Sequence, residues 1–114
     1  MAERRTTPRK KFSMYMRVLN DDTAEIMGHM IEIGAIGFRL ETVGQLPLNQ
    51  DYYLRLELTA DVADVPYIVF IAETRWCEMD EIQPNLYQVG FELKEIMPED
   101  KEIFLRVLEK YGNK

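Results

Sequence analysis

Apolar and polar residues alternate with a period of two over most of the chain, the pattern of strands that bury one face. Phe12, Met14, Met16 and Val18 alternate with Ser13, Tyr15 and Arg17, which predicts a first strand over 12–18. Asn20-Asp21-Asp22 supplies turn chemistry, and Ala24 to Ile33 predicts a second strand. Gly34 and Gly37 then mark a tight or bulged connection. Phe38, Leu40 and Thr42 alternate with Arg39 and Glu41, and after a break at Gly44 to Asn49 the series Tyr52, Leu54, Leu56, Leu58 alternates with Tyr53, Arg55 and Glu57. Pro66 stands at the entry of the longest strand, Tyr67 to about Trp76, where a missing N–H is tolerated. That strand puts Phe70, Ala72, Thr74 and Trp76 on one face, opposite Ile71, Glu73 and Arg75, so Trp76 reads as a core residue. Beyond a polar turn from Met79 to Asn85, Tyr87, Val89, Phe91 and Leu93 alternate with Gln88, Gly90 and Glu92.

The period changes at the end of the chain. Phe104, Val107, Leu108 and Tyr111 fall at i, i+3, i+4 and i+7, one apolar face of a helix. Pro98 suits its first turn, Glu99 and Asp100 its positive end, Lys110 its negative end, and Gly112 its stop. The expectation is a helix over about 98–111. Short strands separated by turn signals predict an all-β domain, a small antiparallel barrel or sandwich closed off by this terminal helix.

Charge changes the picture at one place. The chain has 114 residues, with Lys+Arg 14 against Asp+Glu 20 and a net charge of -6. Its first eleven residues carry five positive charges and one negative, so removing that +4 from -6 leaves a body of -10. The expected organisation is a flexible basic arm over 1–11 and a single domain over 12–114. A basic terminus is often no more than a solvated tail. Here Arg5 and Arg9 flank Thr6-Thr7-Pro8, and Pro8 disfavours helix at Thr7, so two guanidinium forks can converge on one anion from an extended or turned segment.

Several classes of chemistry lack their residues. His29 and Cys77 are the only members of their types, so neither a metal site nor a nucleophile–base pair is expected, and no enzyme. His29 reads as an ordinary sheet residue, and Asp61, Asp64, Glu78, Asp80 and Glu81 as solvated loop carboxylates. No apolar run approaches the roughly 20 residues that cross a bilayer, no apolar segment follows the basic start, and the one cysteine permits no internal disulfide framework. The expectation is a cytoplasmic protein without membrane insertion. The acidic body argues against DNA or RNA as partner.

Arg5-x-x-x-Arg9 in a basic arm, a strand, and Glu32-Ile-Gly34-Ala-Ile-Gly37 at a strand end together resemble the PilZ domain, which binds cyclic di-GMP in bacteria. Thr74-Arg75-Trp76, a polar turn, Tyr87-Gln-Val-Gly90-Phe91 and a terminal helix follow in the order of that family, so the resemblance covers nearly the whole chain. It implies a small antiparallel β-barrel capped by the C-terminal helix. It also implies a ligand site in which Arg5 and Arg9 grip phosphates and guanine edges, with Arg4 and Lys10 adding weaker attraction. The opposite side of that site is the motif [Asp/Asn]-x-Ser-x-x-Gly, from which this chain departs: Glu32 stands for the Asp or Asn and Gly34 for the Ser, while Gly37 is kept. A lost neutral hydroxyl contact costs about 0.5–1.5 kcal/mol, whereas a lost charged arginine contact costs about 1.5–3 kcal/mol. The resemblance therefore implies a retained, weakened receptor of cyclic di-GMP, without cofactor, that signals to a protein partner in motility, biofilm or pilus-type processes. The alternative is a PilZ-like adaptor that works by protein contact without the ligand.

Overall fold

The computed structural model describes residues 10–12 and 14–113. Along the chain come β1 (Lys10–Phe12), β2 (Arg17–Asn20), β3 (Ile26–Ile33), β4 (Gly37–Val43), β5 (Asp51–Glu57), β6 (Tyr67–Met79), β7 (Leu86–Ile96), α1 (Pro98–Tyr111) and β8 (Gly112–Asn113). Strands pair in the order β2-β5-β6-β7-β4-β3, and β3 returns to β2, which closes a six-stranded antiparallel barrel. β1 lies against the end of β3 and carries β8 on its other side.

The alternation sets which side chains fill the barrel. Val18, Met30, Phe38, Leu40, Leu54, Leu56, Phe70, Val89 and Phe91 point inward and are buried. Phe38 stacks on Phe91 with ring centroids 5.1 Å apart. α1 plugs one end of the barrel with Phe104, Val107 and Tyr111, and Phe104 meets Phe70 edge-on at 6.0 Å. Burying a side chain of this size contributes about 1.5–3 kcal/mol. The helix begins at Pro98 with Glu99 and Asp100 in its first turn and Lys110 in its last, as the charges predict. Gly112 ends it in an extended conformation, φ -76°, because the chain passes directly into β8; the left-handed stop that a terminal glycine favours is not used here.

Three sequence expectations are corrected. The strand expected over 12–18 is two strands, and β1 takes in Lys10 and Lys11, which the charge pattern had given to the arm. β1 and β2 follow one another along the same edge of β3, and β2 then turns away to pair with β5. Met16 and Val18 still point inward and Tyr15 outward, so the alternation survived where the ladder did not. The strand expected from Ala24 starts at Ile26, because Ala24 has φ 63° and Oδ1 of Asn20 accepts the N–H of Asp22 at 2.8 Å and of Thr23 at 3.2 Å. Trp76 lies on the outer face, not in the core. A register shift between Thr74 and Trp76 inserts Arg75 as an extra residue and turns the indole out.

Candidate functional site

The connection between β3 and β4 is the turn Gly34–Gly37, closed by the Gly34 N–H donating to the Gly37 carbonyl at 2.8 Å. It is held from two sides. The Leu93 N–H donates to the Ile36 carbonyl at 2.9 Å, and Nζ of Lys101 on α1 donates to the Ala35 carbonyl at 2.9 Å. Gly37 is required by packing: a Cβ there would stand 2.4 Å from the Phe91 carbonyl oxygen. The helix that plugs the barrel therefore also braces the turn.

Glu32 reaches this place through a second irregularity. Met30 pairs with Leu40 and points inward, and strict alternation would send Glu32 inward as well. A register shift between Met30 and Glu32 brings Glu32 opposite Arg39 instead. Arg39 pairs in turn with Gly90, and Gly90 with Trp76, so one outer row crosses four adjacent strands as Glu32–Arg39–Gly90–Trp76. The Trp76 ring packs directly against Gly90, where a Cβ would be 2.2 Å from its Nε1. The Arg39 guanidinium carbon stands 5.9 Å from the ring centroid, and Nη2 of Arg39 donates to Oε2 of Glu32. The Glu32 side chain is 10% exposed and that of Arg39 23%. A carboxylate so far removed from water needs its cation, because an unpaired buried charge costs several kcal/mol.

Charge around the row is negative. Glu41 follows Arg39 on the same face of β4, and Glu92 of β7 pairs with Gly37. Arg75 is already engaged, with Nη1 2.6 Å from Oε1 of Glu92 and 3.6 Å from Oε1 of Glu73. An anion approaching this face needs positive charge from elsewhere. In the backbone register, Lys10 and Lys11 of β1 are the partners of Ile33 and Glu32. Arg4, Arg5 and Arg9, the arginines expected to bind, lie outside the described residues. Of the remaining expected site residues, Glu32, Gly34 and Gly37 are brought together, all buried.

Sequence reasoning missed Arg39 and Gly90. Arg39 had a legible signal, a lone cation on the outer face beside the two-glycine turn, while the seat that Gly90 gives Trp76 depends on the bulge. His29 packs against Tyr15 with ring centroids 4.8 Å apart and the planes tilted by 33°, an ordinary role for a sheet residue. Among the described residues no group of His, Cys, Asp or Glu side chains is arranged to hold a metal ion, and no helix is long and apolar enough to cross a membrane.

A cavity of about 430 Å³ lies elsewhere, between the Ala60–Val65 loop and α1. It is lined by Asp61, Asp64, Glu99 and Glu102 among others, which disfavours an anionic ligand. Beside it the Asp61 carboxyl is lowered to about 2 by hydrogen bonds from Thr59 and Tyr111, with Lys110 adding a smaller attraction. The Tyr111 hydroxyl donates to Oδ2 of Asp61 at 2.6 Å. Asp80, in the β6–β7 turn, is also lowered, by the N–H groups of Gln83 and Ile82.

A family model described as PilZ domain matches residues 3–110. No curated protein matches the sequence. Among solved structures, the chain is similar to the PilZ domain of YcgR from Escherichia coli, a structure with c-di-GMP, at TM-score 0.70 and 9% identity over 96% of this chain and 92% of that one. It is similar to the Bacillus subtilis inhibitor of motility MotI/DgrA at TM-score 0.69 and 17% identity, over 96% of this chain and 51% of that one. It is similar to MrkH of K. pneumonia, solved as a c-di-GMP complex, at TM-score 0.67 and 19% identity, over 95% of this chain and 51% of that one. The chain thus spans about half the length of MotI and MrkH. At these identities the likeness establishes the barrel and its terminal helix.

Proposed function

Because the chain belongs to the PilZ domain family, we propose that it is a cyclic di-GMP receptor whose basic arm closes over the ligand and changes the surface presented to a protein partner. YcgR and MrkH, similar in fold, are described in complex with c-di-GMP. The observation that carries the reading is the register of β1. Lys10 pairs with Ile33 and Lys11 with Glu32, so the strand that follows the arm in sequence runs along the edge leading to the Glu32–Gly37 turn. In this reading Arg5 and Arg9 supply the forks for phosphate and for the O6/N7 edge of guanine, with Arg4 adding attraction. Glu32 accepts from the N1 and N2 donors of guanine, and Gly34 and Gly37 let the turn approach it. The acidic face makes the arm indispensable in this reading, since Arg39, the cation of the row, already faces the carboxylate of Glu32. An arm that orders on binding alters what a partner meets, and Lys101 couples the turn to α1. Cytoplasmic location and a protein partner, with neither DNA nor RNA bound, complete the proposal, the latter because a body charge of -10 repels a polyanion.

Calorimetric titration of the full chain with cyclic di-GMP tests it. Saturable heat in the wild type and its loss in Arg9→Ala are expected, a charged contact of about 1.5–3 kcal/mol being roughly a ten- to hundredfold change in affinity. No heat up to high micromolar ligand overturns it.

A second reading rests on one observation: the carboxylate of Glu32, already a departure from the family motif, is buried against Arg39. A ligand-free adaptor would keep that pair for structure alone. Such an adaptor predicts that an Arg5→Ala, Arg9→Ala variant complements a deletion strain as well as wild type, and loss of complementation refutes it.

A further inference from the structure

We propose that the end of β4 and the turn between β6 and β7 form a docking face for a partner protein that offers an apolar pocket bordered by lysine or arginine. The inference rests on what the receptor and adaptor readings share, a protein partner, and names the face and the chemistry of that contact. Ile82 in the turn is 86% exposed, Val43 at the end of β4 83%, and Met79 at the end of β6 54%. They are gathered at one end of the sheet. Val43 is the register partner of Leu86 and Met79 of Tyr87, and the Gly44 N–H donates to the Asn85 carbonyl at 3.3 Å. Single exposed apolar residues are ordinary, whereas a group of them marks a contact surface.

Local preference does not account for the group. A valine suits a strand, but Val43 continues an outer row whose preceding members are Arg39 and Glu41, and Ile82 lies in a turn, where strand preference has no hold. The turn is also built to hold still. Oδ2 of Asp80 accepts the N–H of Ile82 at 3.0 Å and of Gln83 at 2.9 Å, and the Leu86 N–H donates to the Gln83 carbonyl at 3.0 Å. A residue presented by an ordered turn loses less freedom on binding than one on a loose loop. Charge selects the occupant. Glu41 and Glu78 flank Gln88 on the outer face, Asp80 and Glu81 enter the turn, and neither Lys nor Arg occurs between Leu40 and Leu54 or between Trp76 and Leu93. The same face of a second copy, an anionic membrane or a nucleic acid would meet like charge here, while an apolar pocket with a basic rim is complementary. Along β7, Leu86 lies roughly 13 Å from Gly90 of the Glu32–Arg39–Gly90–Trp76 row, at about 3.3 Å per residue, so a partner seated here extends toward the candidate ligand site.

Photo-crosslinking of the full chain in cells tests this. The crosslinker p-benzoylphenylalanine replaces Ile82 or, as a control on α1, Leu105, which is 39% exposed, and the crosslinked peptide is sequenced by mass spectrometry. The expected result is a protein species formed from position 82 and not from position 105, joined through an apolar segment flanked by Lys or Arg. Its yield should fall about tenfold or more in Val43→Asp, the scale of spoiling an interface anchor, and also in a Glu78→Lys, Glu81→Lys variant. These positions are exposed, so the variants should keep the wild-type circular dichroism spectrum. No species from position 82, equal yield from position 105, a product containing this chain twice, or an acidic crosslinked segment overturns the proposal. So does a yield that the charge reversals leave unchanged. Cyclic di-GMP titration separates this from the receptor reading. Val43→Asp should bind as wild type does, and loss of ligand in that variant overturns the docking face. A wild type that binds no cyclic di-GMP overturns the receptor reading, while the position-82 crosslink still decides the docking face.

Discussion

Two arginine–glutamate pairs of the barrel, one between β2 and β5 and one between β3 and β4, are built in contrasting ways. Arg17 of β2 meets Glu57 with the full fork, Nε to Oε1 at 2.8 Å and Nη2 to Oε2 at 3.1 Å, in the open, with side chains 41% and 38% exposed. Arg39 meets Glu32 in a largely dry place, end-on, with its Nε orphaned. The better geometry stands where water makes it nearly worthless, and the poorer geometry where a misplaced charge is expensive. The buried pair leaves one donor of its arginine without a partner among the described residues, whereas the exposed pair uses both prongs.

Breaking the buried pair is expected to have the largest effect. Arg39→Met should lower stability by about 3 kcal/mol, because a largely buried carboxylate loses its arginine. The Glu32→Gln, Arg39→Met double variant should recover much of that loss in urea unfolding. Additive losses would mean that the two groups do not act as a pair. Gly90→Ala comes next. Its Cβ would stand 2.2 Å from Nε1 of Trp76, so the ring must move, at about 1–3 kcal/mol for overpacking, with a shift in tryptophan emission. An unchanged emission spectrum would place the indole elsewhere than in this row.

A third carboxylate sharpens the contrast through pH. Asp61 is exposed and its carboxyl, ordinarily near 3.8, is lowered to about 2 in the folded protein, chiefly by Thr59 and then by Tyr111. Between those values the unfolded chain binds more protons, so the contribution of Asp61 is complete above about pH 4 and is lost as pH falls toward 2. Asp61→Asn should flatten that part of the acid limb of stability against pH, and Tyr111→Phe should do so in part. An acid limb identical to wild type would contradict the hydrogen-bond assignment. The smallest effect is expected at Arg17. Despite ideal geometry, Arg17→Met should move the melting temperature far less than Arg39→Met, and an equal shift would erase the distinction between the two pairs.

Much of the fold was legible from side-chain type alone. Inward residues such as Leu54, Leu56, Phe70 and Phe91 follow from alternation, and the helix from Pro98 to Tyr111 from its spacing and end charges. The turn at Asn20 was legible because its side chain closes the turn locally. Of the site, the glycines of the β3–β4 turn were visible as a break in pattern, although the packing that demands Gly37 comes from Phe91, more than fifty residues away in sequence. Trp76 was assigned to the wrong face and Arg39 was passed over, for one reason. A period of two reports a face only until an extra residue enters the strand.

The sequence by itself determined that this chain would form short antiparallel strands around an apolar core, end in a helix, and concentrate basic charge beside an acidic body. Those properties are summed from local preferences, and burial amplifies them. Only the tertiary structure decided that Glu32 and Trp76 face outward on either side of Arg39. That outcome depends on where β3 shifts register against β4 and β6 against β7, and closing a six-stranded ring sets those shifts through the pairing of every strand with its neighbours.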